Sequence, residues 1–184
     1  MPCRKFGTII VCIALQFCPS AFAETKQYIV EVAVFDHQTT ELSDEVWKQP
    51  YTELAQAKTP SYTNEIQFVK DGPMKAAVDS LRRRREYTLL KYSVWIQDTL
   101  ERSRVPVVPI SSAATNLEGY VQVYGGQLLF VDIALSLGKN LSPNAARTVP
   151  TRFVIDEKRR LKLDETHYFD HPYFGAILRV SRQP

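Results

Sequence analysis

The densest run of chemistry-bearing residues is Glu165-Thr-His-Tyr-Phe-Asp-His-Pro-Tyr-Phe-Gly175, which holds His167 and His171, two of the three histidines, with Tyr168 and Asp170 between them. Two imidazoles and a carboxylate are a donor set that zinc accepts. The spacing places both histidines on one face only in a helix. Pro172 and Gly175, with an alternating apolar segment following, predict a turn instead. On that reading Asp170 caps nearby amides and His171 packs against an aromatic ring. With no third clear ligand, neither a metal nor a cofactor is assigned. A serine hydrolase would draw on Ser111 or Ser112 with a histidine and Asp170, yet neither serine sits in a Gly-x-Ser-x-Gly setting. Nothing in the spacing of the 20 acidic residues selects a glycosidase-type carboxylate pair. Phosphate-loop and dinucleotide glycine patterns are also missing from the sequence. These residues point to binding rather than catalysis.

The second candidate is the run Arg82-Arg83-Arg84-Arg85. It closes a helical pattern, where cations complement the negative end of the helix dipole. One or two arginines would suffice for that. Four in a row leave a patch able to hold carboxylates or phosphates through paired guanidinium hydrogen bonds. The third candidate is Trp95, which the alternation of its segment places on the open side of a strand.

These residues need elements to position them. Residues 28–35 (YIVEVAVF) read as a strand that is apolar on both sides except for Glu31, which predicts a central position. Residues 36–72 form a polar excursion with a short helix near 41–47 and Trp47 as anchor. Pro73 suits the first position of a helix, with Met74, Ala77, Val78 and Leu81 on one face. From Glu86 the period becomes 2, with Leu90, Tyr92, Val94 and Ile96 on the buried side. A hairpin follows, residues 117–124 and 127–137, around a Gly125-Gly126 loop expected to take positive φ. Residues 138–150 read as a loop, and 151–156 with 159–163 as a further strand or a hairpin. Residues 174–180 form the last strand. The expected class is α+β: a single domain with a mostly antiparallel sheet of five to six strands and one main covering helix.

Ahead of this domain, Arg4 and Lys5, the apolar run 6–17 and Ala21-Phe22-Ala23 have the three parts of a cleavable secretory signal. The large Phe17 before Cys18 disfavours lipidation. The expected division is a signal over 1–23 and a domain over 24–184. Taking 23 residues from the 184-residue chain leaves 161 for the domain. Cys3, Cys12 and Cys18 all fall in the signal, so the mature chain has no disulfide to form and no thiolate for redox chemistry. Losing Arg4 and Lys5 lowers the basic count from 23 to 21 against 20 acids, a formal +1. That balance argues against a general nucleic-acid binder. The mature chain carries no span expected to cross a membrane.

The C-terminal stretch resembles the signature ending of the CsiV family, which reads as an arginine pair, then H-Y-hydrophobic-D-H-P-x-F-G, then a strand. His167, Tyr168, Asp170, His171, Pro172, Phe174 and Gly175 match that pattern. Residues 28–35, the segment 81–97, Leu117-Glu118-Gly119 and residues 129–132 are similar to other parts of the family in order. Ile96 stands where the family shows arginine, and Phe130 where it shows histidine. The resemblance implies a non-enzymatic periplasmic protein that binds peptidoglycan and supports a penicillin-binding protein through its lipoprotein activator. Peptidoglycan carboxylates would suit the arginine run, and sugar faces an exposed Tyr or Trp. The alternatives are a protein-interaction module with only indirect wall association, or a metal-dependent enzyme at His167, Asp170 and His171.

Overall fold

The computed structural model describes residues 27–37, 66–98, 100–144 and 147–183, with side chains left undescribed over 140–151. The signal segment and the region of Trp47 lie outside these residues.

The first strand, β1 (Tyr28–His37), is followed by β2 (Gln67–Val69), the helix α1 (Lys75–Arg82) and β3 (Tyr87–Gln97). Next come β4 (Val108–Pro109), β5 (Leu117–Gly125), β6 (Leu129–Asn144), β7 (Arg147–Leu161), β8 (Thr166–His171) and β9 (Phe174–Arg182). They form two antiparallel sheets, β2-β3-β1-β9-β8 and β4-β5-β6-β7. The expected single sheet is therefore a pair packed face to face.

Alternation explains the packing. Val30, Val32 and Val34 of β1, Ala176, Leu178 and Val180 of β9, and Phe169 of β8 share one core. Val121, Val123, Val131, Ile133, Leu135, Phe153 and Ile155 of the second sheet complete it. The opposite face of the first sheet is covered by α1, whose Met74 and Val78 pack on Ala33 beside Leu89, Tyr92 and Ile177. This is why β1 is apolar on both sides: one face meets the second sheet and the other meets the helix.

Three expectations are corrected here. The segment 138–150 is mostly strand, because β6 runs on to Asn144 and β7 begins at Arg147. Its Pro150 sits on β7, an edge strand, where a missing N–H is tolerated. The Gly-Gly hairpin pairs one step further, Gly125 opposite Leu129, and neither glycine has positive φ. The third concerns Trp95. It has no exposed surface, and its indole N–H donates to Gln97 Oε1 at 3.0 Å. Gln97 in turn donates to the Val123 carbonyl at 3.1 Å, joining the two sheets. Trp95 is a core residue rather than a ligand platform.

Candidate functional site

The run His167 to His171 is the edge strand β8, and the turn is confined to Pro172 and Tyr173. Alternation therefore splits the motif between two faces. His167, Phe169 and His171 lie on the core side. Tyr168 and Asp170 project from the outer face, the same side as α1.

On the core side, His171 lies among the rings of Phe153 at 5.3 Å, Phe174 at 5.5 Å and Tyr173 at 5.9 Å. Its Nδ1 accepts the Tyr173 N–H at 3.3 Å. Burial pushes its pKa down, only partly opposed by Asp170, so the ring packs in its neutral form. His167 Nε2 accepts the Lys162 N–H at 3.0 Å, closing the turn between β7 and β8. Both imidazoles thus have structural roles. Four residues apart in a strand, they stand about 13 Å from one another, too far to share one metal ion. Among the described residues no three His, Cys, Asp or Glu side chains gather to hold a metal. Ser111 and Ser112 precede β5 in the other sheet.

The outer side carries a different cluster. Tyr168 is 45% exposed, and its ring lies nearly parallel to Phe35, with planes 6° apart and centroids at 6.1 Å. Tyr87 meets Phe35 edge-on at 5.4 Å and His37 edge-on at 5.7 Å. The Tyr168 hydroxyl donates to Asp170 Oδ1 at 2.5 Å and lies 3.5 Å from His37 Nε2. The Pro172 carbonyl lies 3.3 Å from His37 Nδ1, an arrangement that puts the ring proton on Nδ1. Partial burial, and then the bond to Asp170, push the ionisation of the Tyr168 phenol up, so it remains a donor. Gly175 makes the stack possible. A Cβ there would sit 2.9 Å from the Tyr168 ring and 3.0 Å from the Phe35 ring.

His37, Phe35 and Tyr87 were not among the sequence candidates. Parity along β1 carries the signal, because Glu31, Ala33, Phe35 and His37 alternate onto the helix side.

The arginine run enters this end of the sheet. Arg82 pairs with Asp79 at 3.8 Å, and Arg83 donates to Ser80 Oγ at 3.0 Å. Asp79 is held below the usual carboxylate range, first by its bond to Lys75 and then by Arg82 and Arg83. Arg84 and Arg85 are exposed and make no ion pair among the described residues. Arg85 stands two residues before Tyr87, whose ring belongs to the aromatic cluster. Sequence adjacency to Tyr87 thus puts the arginine run at the end of β3 that meets the aromatic cluster, while Trp95, His167 and His171 are not part of that cluster.

The two positions that depart from the family pattern also have plain packing roles. Ile96 is half-buried in β3, and Phe130 stacks on Tyr124 with ring centroids 5.9 Å apart.

No helix among the described residues is long and apolar enough to cross a membrane. No curated protein and no solved structure matches the chain. A family described as "Peptidoglycan-binding protein, CsiV" matches it over residues 5–183, nearly its whole length. With the C-terminal motif divided between core and surface as described, the chain belongs to the CsiV family of peptidoglycan-binding proteins.

Proposed function

We propose that this protein is a non-enzymatic accessory factor of the periplasm, exported by a cleavable signal over residues 1–23. It contacts peptidoglycan and supports wall assembly by a penicillin-binding protein and its lipoprotein activator. The observation that carries the wall contact is the pair of exposed side chains Arg84 and Arg85, which make no ion pair among the described residues and stand just before Tyr87 of the aromatic cluster. Peptidoglycan presents lactyl and peptide carboxylates, which guanidinium groups bind through charge-assisted hydrogen bonds. The reading as a pure interaction module loses Trp95, which is buried, and rests on the sheet edges alone.

Sedimentation with purified sacculi tests this. The protein should pellet at low salt and progressively less as salt rises. Replacing Arg84 and Arg85 with Gln should weaken pelleting roughly three- to tenfold at low salt and flatten its salt dependence. An unchanged salt profile in that double variant would remove the arginines from the contact, and a wild-type protein that never pellets would remove the wall contact itself.

A further inference from the structure

The outer end of the first sheet joins four features. Tyr168 is a large exposed ring among the described residues; Phe68 and Leu128 are also exposed, on β2 and in the β5–β6 turn. Unlike a free surface tyrosine, its ring is fixed: Phe35 stacks beside it, Gly175 lies beneath it, and Asp170 holds its hydroxyl. Phe35 is in turn wedged by Tyr87 and His37. An aromatic face already immobilised costs little further entropy when a ligand settles on it. Asp170 is itself exposed, and after accepting the tyrosine's hydrogen bond its carboxylate retains lone pairs for further donors.

We infer that this surface is a saccharide-stacking site, with the Tyr168 ring taking the apolar C–H face of an N-acetylhexosamine and Asp170 accepting a sugar hydroxyl. The inference rests on the wall-binding reading and deepens it by assigning the glycan strand, rather than the stem peptide, to this spot. Charge decides between the two. Asp170 has no ion pair among the described residues, and such a carboxylate accepts from neutral hydroxyl donors and repels the carboxylates of the lactyl group and the peptide. Those acidic groups find their match at Arg84 and Arg85, on the approach to Tyr87. The sugar ring has one apolar face and a polar rim, which suits a tyrosine whose own rim is already anchored. His37, with its Nδ1 turned to Pro172, presents Nε2 toward the same hydroxyl cluster as a second acceptor.

The test titrates the purified protein with a β-1,4-linked N-acetylglucosamine tetramer, followed by calorimetry or NMR, alongside sacculus sedimentation. Wild type should bind the tetramer, and Tyr168→Ala should weaken that binding roughly tenfold or more. Tyr168→Phe, which keeps the ring but releases Asp170, should lose only a few-fold. Thermal unfolding of each variant separates a lost site from a lost fold. Gly175→Ala provides an independent check, since its methyl group pushes both rings out of position without removing either; weakened tetramer binding is expected there too. Tetramer affinity unchanged in Tyr168→Ala, or sacculus pelleting with no tetramer binding, overturns the stacking site and leaves the wall contact standing. Failure of wild type to pellet overturns the wall contact and the site with it.

Discussion

Replacing Glu31 with alanine is expected to destabilise the protein by about 2–4 kcal/mol, the combined effect of two orphaned donors and a small cavity. Glu31 is the one charged residue in the apolar run of β1, and it has no exposed surface. Its carboxylate accepts the Met74 N–H at 2.8 and 3.0 Å and the Tyr92 hydroxyl at 2.7 Å. Met74 is the residue that opens α1, and no side chain of the helix itself caps it. An anion from the strand below therefore supplies the missing acceptor and complements the positive end of the helix. Gly72 admits it: a Cβ there would lie 2.6 Å from the Glu31 carboxylate. Burial and the bond to Glu31 raise the ionisation of Tyr92, which keeps that hydroxyl a donor.

Alanine at position 31 would leave the buried Met74 amide and the partly buried Tyr92 hydroxyl without this acceptor. The unfolding midpoint should fall by roughly 5–15 °C for a chain of this length. Glu31→Gln keeps the shape and one acceptor oxygen, so about half the loss is expected. Urea denaturation of both variants is the check. A Glu31→Ala protein within about 0.5 kcal/mol of wild type would mean that the carboxylate does not anchor the helix.

The second large effect is at Trp95. Trp95→Ala should cost about 3–5 kcal/mol, a large fraction of the 5–15 kcal/mol typical of a whole domain. The indole fills the core between Val30 and the second sheet, and its N–H orients Gln97, which ties β3 to β5 through the Val123 carbonyl. Its loss removes packing and misplaces a buried amide at once. Because Trp95 lies inside, its effect should be on folding alone. The decisive variant is Trp95→Phe, whose unfolding midpoint should drop while the folded fraction pellets with sacculi as wild type does. A stable Trp95→Phe protein with impaired pelleting would return Trp95 to the binding surface.

The misreading of Trp95 has a definite cause. In a regular strand Leu90 and Trp95, five apart, must face opposite sides. In β3 both pack in the same core. Val34 pairs with Lys91 and Phe35 with Leu89, so Leu90 is the extra residue of a bulge, and parity inverts there. No local composition marks such a bulge. Segments without one were legible: Phe174, Ala176, Leu178 and Val180 are all buried, as their alternation requires. The division into two sheets was not legible, because it depends on β1 pairing with β9 at the far end of the chain.

The proposed binding surface was legible only in part. Tyr168 and Asp170 stand in one conspicuous motif, whereas His37 reaches the Tyr168 hydroxyl across a separation of 131 residues. A reader of sequence sees the motif as one unit. The strand divides it, turning its histidines to the core side and its tyrosine and aspartate to the outer face.

The most direct test is to titrate isotopically labelled protein with soluble muropeptide fragments that carry both glycan and stem peptide, and to map the amide shifts. Perturbations are expected to gather at Arg84, Arg85, Tyr87, His37, Tyr168, Asp170 and Gly175. Shifts confined to the outer face of the second sheet, around Tyr124 and Phe130, or the absence of any shift, would contradict the proposed binding surface.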